Sequence, residues 1–503
     1  MDINLLFLIP IITAILCLIP SGSNNIKWLG PIQISGTSFL FLIVIRLLNE
    51  ILQHKVIKAF NNMLYIDAFS GLLILLISTV SLLVSLYSAG YMTQNAEGKI
   101  LSTWKLKKYY FLLNIFILTM LTVVTANNIG LVWVGIEITT LVSAFLVGFY
   151  NKQTSIEAAW KYIILCTVGI AFAMIGIILC YYAAIHSGGV ESLSLNWDYL
   201  LLIANKFDPK IIKLAFAFIL IGYGTKAGLA PMHSWLPDAH SEAPTPVSAL
   251  LSGVLLKCGI YSIIRFYILA NESIGAAFTN HMLLFFGMLS IGLSVPFIIT
   301  QQQIKRLLAY SSLEHIGIIV TGFGIGSPIS VFGALFHIFN HAMVKTLMFF
   351  SAGNLALKFH TKDMNKIKNA INIMPFTGII LLVGGLALAG SPPFSIFLSE
   401  FYIIKAGVAE KHWVISSLFL LFLVIIFGAL MHHIMGITIG NDSNNIEDNA
   451  NTEKIEKGEI NKLGIVALAI PLFIICLLGV WLPSPLFELL NASVKIITGK
   501  GIL

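Results

Sequence analysis

Residues 211–231, IIKLAFAFILIGYGTKAGLAP, decide the fold. An apolar run of this length crosses the roughly 30 Å hydrocarbon layer of a bilayer as a helix, because about 20 residues at 1.5 Å each suffice. The run nevertheless carries Lys226, and it ends on Gly228-Leu229-Ala230-Pro231, where proline removes a backbone donor and interrupts the helix. A charge and a helix break at membrane depth are tolerated only where protein or water covers them. The stretch therefore reads as an interior helix of a polytopic membrane protein.

The rest of the chain agrees. Of 503 residues, 57% are apolar and only 11% charged, outside the range of soluble domains. The expected fold is all-α, with about fourteen transmembrane helices, near 3-20, 30-50, 68-90, 109-126, 129-149, 158-185, 211-230, 245-270, 278-299, 307-325, 328-353, 372-408, 412-439 and 462-482. The run 372-408 is too long for one straight span and contains Gly390-Ser391-Pro392-Pro393, so it reads as a second broken helix. The two breaks lie about 160 residues apart, each late in a block of five spans. An odd number of spans inverts one copy relative to the other, the arrangement of many transporters. The expected division is a three-helix segment (1-108), a first five-helix repeat (109-270), a second inverted repeat (271-439), and a cytoplasmic loop with the last helix (440-503).

Several functions lack sequence support. The five cysteines are dispersed in apolar runs without a CxxC pair, and no Walker loop, strand-borne GxGxxG or HExxH occurs, so no metal or cofactor is expected in this chain. The glycines from Gly322 to Gly326 read as a helix break. Asp2 precedes the first apolar run where a signal peptide would be basic, so that run is read as the first span. Lys and Arg, counted with Lys99, Lys305 and Lys454 among the inner ones, number about fifteen in the inner loops against about eight outside if the N-terminus faces outward. That bias sets the expected orientation. A polar inner loop, 440–462, is a possible partner surface.

Ionisable residues inside the spans carry the functional reading: Glu137 in LVWVGIEITTLVSAF, Lys226, Lys257 in ALLSGVLLKCGIYS, Lys345 in FNHAMVKTLMFF and Glu400 in PPFSIFLSEFYII. Each costs about 2.5 to 3.5 kcal/mol at mid-membrane, and five left unpaired would cost more than most proteins' entire stability. Desolvation disfavours the charged form of either side chain and so brings lysine and glutamate toward proton exchange near neutrality. Structural ion pairs or snorkelling suit any one of them, but five in separate spans fit a proton path better. Arg265 and Lys161, near helix ends, read as snorkelling or structural. His337, His341 and Lys345 recur every four residues on one helix face, and imidazole can accept a proton at one nitrogen while releasing another. His315, His233 and Glu314 are further candidates, and His432 and His433 read as facing an aqueous exit. Metal binding at the His-x3-His pair is disfavoured because no third ligand is evident nearby.

The stretch GTKAGLAPMHSWLPDAHSEAPTPVSALLSG (224–253), with KRLLAYSSLEHIG (305–317) and HIFNHAMVKTLMFFSAGN (337–354), resembles the antiporter-like membrane subunits of respiratory complex I and of multisubunit cation/proton antiporters. Within that superfamily, WVGIEITTLVSAFLVGFY (133–150) and SIEAAWKYIILCTVGIA (155–171) look most like the F-type membrane subunit of hydrogenase-4 and formate hydrogenlyase. The resemblance implies a half-channel in which Glu137 pairs with Lys226 and Lys257 passes the proton on. In the second block, His337, His341 and Lys345 would lead to Glu400 as the terminal group. It further implies a bacterial-type inner membrane, and partner subunits holding nickel-iron centres, iron-sulfur centres or a quinone site. The alternatives are a subunit of a multisubunit Na+(K+)/H+ antiporter, and a membrane partner of a soluble enzyme such as an inorganic-carbon uptake system.

Overall fold

Side-chain caps begin several of the helices that cross the membrane. Asp67, Asn128 and Asp208 each accept from backbone N–H groups two or three residues ahead, satisfying donors that a helix start leaves open. The structure, a computed structural model, describes residues 2–20, 27–93, 101–440, 456–460 and 462–502. Lys99 and Lys454, with residues 441–455 and 461 of the expected inner loop, lie outside the described residues.

Helices α1 (Asp2–Leu18), α2 (Leu29–His54) and α3 (Ala68–Tyr91) form the N-terminal segment. They are followed by α4 (Thr103–Thr125), α5 (Ile129–Val147), α6 (Gln153–His186), the short α7 (Trp197–Ile203), α8 (Pro209–Ala227) and α9 (Trp235–Glu242). Next come α10 (Thr245–Leu250), a π-helical turn (Leu251–Leu255), α11 (Leu256–Ile274), α12 (Ala276–Thr300), α13 (Ile304–Ile325) and α14 (Pro328–Lys358). The chain closes with α15 (Ala370–Ile373), α16 (Pro375–Leu388), α17 (Ser395–Ala409), α18 (Trp413–Thr438), α19 (Lys462–Val480) and α20 (Ser484–Thr498).

Ten of these helical runs are long and apolar enough to span a membrane, and α1 and α16 are shorter apolar helices. Helices α8 and α14 have the length to cross, and their lysines and histidines lower their mean hydropathy. With α16 and α17 taken as one broken unit, the described residues contain the expected fourteen crossings. Both breaks fall where the sequence placed them. Helix α8 stops at Gly228, which is left-handed at φ +77°, and α16 gives way to α17 across Gly390 to Phe394.

Burial follows charge. The continuous run α10–α11 and helix α13 are buried along their whole apolar windows, whereas α18 is buried over only 22% of its window. The helices that carry Lys257, Glu314 and His315 are thus among the most interior. In the N-terminal segment, Asn114 donates to Gln33 (2.5 Å) and Gln33 to Ser85 (3.2 Å), tying α2, α3 and α4 by interhelical hydrogen bonds.

The structure adds to some of these readings and corrects others. An antiparallel hairpin, β1 (Ile57–Ala59) with β2 (Leu64–Ile66), occupies the α2–α3 connection. Helix α20 follows the last span, lying against α3 and α14 with Leu489, Leu490, Val494 and Ile497 buried. Of the glycines from Gly322 to Gly326, Gly326 does end α13, left-handed at φ +75°, whereas Gly322 and Gly324 lie within the helix and serve close packing, since a Cβ at Gly324 would strike the backbone of Leu284. Lys305, counted among inner-loop cations, is buried and donates to the Ala243 carbonyl (2.9 Å). Of the two readings of Arg265, the structural one holds. Both its terminal nitrogens donate to the buried Asp67 carboxylate (2.7 Å each), and its guanidinium lies over Trp197 and Tyr261. Lys161, by contrast, is half exposed and pairs with Glu157 and Asp238.

Candidate functional site

Helix α8 ends in Lys226, whose side chain is fully buried. Its ammonium donates to Thr140 Oγ1 (2.7 Å) on α5 and to the Tyr162 hydroxyl (2.6 Å) on α6. Tyr162 in turn bonds Ser143 (2.7 Å), and Thr140 donates to the Ile136 carbonyl. Glu137 is half-buried one turn before Thr140, and Thr167 donates to its Oε1 (3.0 Å) while Oε2 is buried without a partner. The expected direct Glu137–Lys226 pair is therefore corrected. Among the described residues Lys226 bonds two hydroxyls, and the carboxylate is engaged with Thr167 instead.

Lys257 enters through a change of helix geometry. In the π-helical turn Leu256 N–H reaches back five residues to Leu251 O, and Lys257 follows directly, donating to Ser252 O and meeting His341 Nδ1 at 2.6 Å. Such turns recur at functional sites because they re-aim the side chains that follow. A Cβ at Gly259 would lie 2.9 Å from the backbone of Ala227, so this glycine lets α11 close against α8 beside Lys226.

The trio on α14 does not form a hydrogen-bonded line along its own helix. His337, His341 and Lys345 are fully buried, but each bonds a different element. Lys345 donates to Leu308 O (2.7 Å) and to Ser311 Oγ on α13, His341 meets Lys257, and His337 Nε2 lies 2.9 Å from His315 Nδ1. His337 and His341 stack along the shared face with ring centroids 6.3 Å apart, while the hydrogen bonds of the trio run across α11, α13, α14 and α17.

Hydrogen-bond directions assign the tautomers, since Ser399 Oγ donates to Ile396 O (2.7 Å) and so accepts from His337 Nδ1–H (2.9 Å). His337 Nε2 then accepts from His315 Nδ1–H, which leaves His315 Nε2 a bare acceptor, buried and unpartnered. On the other side, with Lys257 as the donor to His341 Nδ1, the proton of His341 sits on Nε2, which is unpartnered as well. The His315 and His341 ring centroids are 4.6 Å apart. A donor and an acceptor thus lie on adjacent rings, and this is where the hydrogen-bonded run is interrupted.

Glu400 follows Ser399 on α17, and its carboxylate lies against Gly390, a glycine at φ +73° where a Cβ would collide with Oε2. Ligand atoms of His315, His337 and Glu400 lie within 4.8 Å of one another. The expectation that no carboxylate stands near the histidine pair is therefore overturned. The bond between the two rings engages one nitrogen of each, and Ser399 takes the second nitrogen of His337, so His315 Nε2 is the one ring nitrogen of the two without a hydrogen bond.

Of the remaining candidates, Glu314 lies within electrostatic reach of Lys345 and Glu400, while His233 and His433 stand apart. Glu314 is buried on α13 with Oε2 unpartnered, His233 is half-buried beside Phe297, and His433 bonds the carbonyls of Ile298 and Ile299. Sequence reasoning passed over His240. It is fully buried on α9, both ring nitrogens lack partners, and its ring stacks on Phe349. It sits between the two expected spans, in a stretch read as a connection, and a histidine in a connection carries no periodic signal. Thr140, Tyr162, Ser311 and Ser399 were equally invisible, because a hydroxyl in an apolar run usually bonds its own helix.

Comparison with known proteins gives this geometry a family. The description "NADH:quinone oxidoreductase/Mrp antiporter, TM" matches residues 126–480, and "NADH-Ubiquinone oxidoreductase (complex I), chain 5 N-terminus" matches residues 59–99. A hydrogenase-4 component F homolog of Methylacidiphilum infernorum is 36% identical over 375 residues, 75% of this chain and 79% of that protein. A Na(+)/H(+) antiporter component of Alkalihalophilus pseudofirmus is 33% identical over 356 residues, 68% of this chain but only 42% of that longer protein. Among solved structures, a chain of the archaeal membrane-bound sulfane sulfur reductase superposes with a TM-score of 0.85 at 25% identity, covering 99% of this chain and 98% of that one. A chain of the Mrp complex from Dietzia gives 0.84 at 16% identity, over 98% and 97%, which speaks to the fold alone. With the matched region covering most of the broken helices and buried charges described above, this chain belongs to the NADH:quinone oxidoreductase/Mrp antiporter family of membrane subunits.

Proposed function

We propose that this chain is a proton-translocating membrane subunit of a membrane-bound hydrogenase or complex I-like oxidoreductase. The observation that carries the reading is the buried run from Lys257 through His341, His315 and His337 to Ser399 beside Glu400, interrupted at one ring-to-ring step. Glu137 and Lys226 are the receiving group and first carrier of the preceding segment, with Lys257 next. Lys345, on the same helix as the histidines, tunes the field in which they exchange protons. His337 takes a proton at Nε2 and releases Nδ1–H to Ser399 Oγ, as that hydroxyl turns from Ile396 O and passes its own proton, through a water, to the Glu400 carboxylate as the terminal group. His315 makes the same transfer when a proton reaches its bare Nε2 from His341, through a water or a small ring movement.

No redox group is assigned to this chain. Electron transfer belongs to partner subunits carrying nickel-iron centres, iron-sulfur centres or a quinone site, and this subunit converts their free energy into proton movement. The blocks 109–270 and 271–439 act as two inverted copies of one half-channel, and the N-terminus faces outward across a bacterial-type inner membrane. The excess of basic residues in the alternate loops supports that orientation.

A second reading, a subunit of a Na+/H+ antiporter, is favoured by the 33% identity to the Alkalihalophilus antiporter component. The two readings separate on one experiment. The complex is extracted gently from its native membrane through a tag on this chain, its subunits are identified, and proton uptake is followed in liposomes. Hydrogenase or quinone-reducing partners with redox-driven uptake are expected. Small antiporter subunits with sodium-driven proton movement would instead support the second reading and refute the first.

A further inference from the structure

Two cavities flank the start of α6, on the side opposite the β-hairpin. One, of about 310 Å³, balances its charges internally, because Lys161 and Arg306 both bond Asp238, and Glu157 and Glu242 line the same space. The other, of about 550 Å³, lies among the first turn of α4, the end of α5 and the start of α6. It holds Lys105 and Lys108, and no carboxylate lines it. Among the described residues neither lysine has an ion pair, and the one contact of either ammonium is Lys108 over the Phe145 ring at 5.9 Å. Three residues apart on α4, the two cations share a face.

The surroundings have a definite chemistry. Below the lysines the wall is apolar and laterally open, with Leu141 and the 62%-exposed Phe145 facing outward. Trp104 and Trp160, 68% and 60% exposed, stand at the same level as the lysines, where indole rings mark the boundary between headgroups and hydrocarbon. Unbalanced positive charge above and an apolar wall below match a molecule with an anionic head and hydrocarbon tails. Basic pockets between helices on the positively charged side of membrane proteins hold such headgroups.

We propose that this cavity is a binding seat for an anionic glycerophospholipid, with its phosphate between Lys105 and Lys108 and its acyl chains along α5 and α6. The seat is built by the start of α4 and the α5–α6 connection, and a bound lipid would hold these elements together. Charge complementarity favours it over a partner helix, which would need an acidic residue placed at this depth.

The test uses the full chain in its native complex, transferred into nanodiscs of zwitterionic lipid with a minor fraction of phosphatidylglycerol. Retained phosphatidylglycerol is measured by native mass spectrometry and by titration. Each lysine near a membrane surface contributes about fivefold, so Lys105→Gln with Lys108→Gln is expected to weaken retention about thirtyfold, or about 2 kcal/mol at 1.4 kcal/mol per tenfold. Lys105→Arg with Lys108→Arg should retain the lipid, which controls for misfolding. Unchanged retention in the glutamine variant of a correctly assembled complex would overturn the proposal. So would displacement of the lipid by millimolar inorganic phosphate, which would mark a simple anion site, or occupation of the cavity by a helix of another subunit in the intact complex.

Discussion

Replacing Lys226 by methionine tests the first segment with little disturbance to the fold, and the expected stability effect can be worked from its bonds. Lys226 donates to Thr140 and Tyr162, but neither depends on it to satisfy its own proton, since Thr140 donates to Ile136 O and Tyr162 bonds Ser143. The variant therefore loses two hydrogen bonds, a net of about 1 to 3 kcal/mol, without orphaning a buried donor. It also removes a buried ammonium whose desolvation penalty is several kcal/mol, and methionine fills a similar volume. Glu137 makes no direct hydrogen bond to Lys226 and keeps its bond from Thr167, so no carboxylate loses a hydrogen bond. Thermal stability and subunit recovery should therefore not fall more than about 1 kcal/mol below the parent complex. A positioned proton-transfer group contributes about 10²- to 10⁴-fold, so redox-driven proton uptake in liposomes should fall at least a hundredfold. Uptake within threefold of the parent, in a variant with normal assembly, would remove Lys226 from the path and refute the reasoning.

Ser399→Ala removes the acceptor that fixes the His337 tautomer, at about 1 to 3 kcal/mol, so uptake should slow by about five- to a hundredfold while assembly is preserved and Ser399→Thr restores it; an unchanged uptake rate would separate Ser399 from the relay. Arg265→Met strands the buried Asp67 and should lower unfolding stability by about 3 to 5 kcal/mol, with most of it regained in Asp67→Asn/Arg265→Met, as thermal denaturation in detergent would reveal. On the hairpin face, burial pushes the Asp198 carboxyl up, but bonds from Lys58, Asn62 and Asn127 outweigh it and hold the group below its usual range. Its stabilisation is therefore complete above the unfolded carboxylate pKa and fades as pH falls through the lowered folded value. Hydrogen exchange across residues 57–66 should accelerate over that acidic window, and Asp198→Asn should abolish the pH dependence.

The spans and both helix breaks were legible because they obey rules local to the sequence, namely an apolar run of sufficient length and a proline or glycine interruption. Charged residues within the spans were equally plain, since nothing in an apolar run hides a lysine. What the sequence could not provide was partner choice. Glu137 and Lys226 invite pairing on charge alone, but the bonds of Lys226 go to Thr140 and Tyr162, and hydroxyls on other helices leave no periodic trace. Glu400 stands 63 residues beyond His337, and only the break in α16–α17 brings its carboxylate to the histidines. Helix α20 had a readable signal in Leu486, Leu489, Leu490, Val494 and Ile497 at helical spacing between Pro485 and Gly499. It escaped notice because a 15-residue amphipathic helix is too short and too polar for a span.

The π-helical turn at Leu251–Leu255 acts as a rotational offset, like a keyed shaft, for everything carried by the rest of its helix. One extra residue in a turn rotates all later side chains by about 100° about the axis. Lys257 and Arg265 share that rotation, although one faces His341 in the interior and the other grips Asp67 near the hairpin face. Their alignments are thus set by a single adjustment. Deleting one residue within Leu251–Leu255 would heal the helix into regular geometry, turning Lys257 away from His341 and Arg265 away from Asp67 together. The Lys257–His341 contact and the Arg265–Asp67 pair stand or fall as one mechanical unit, so variation in this helix has to preserve residue count more strictly than residue identity.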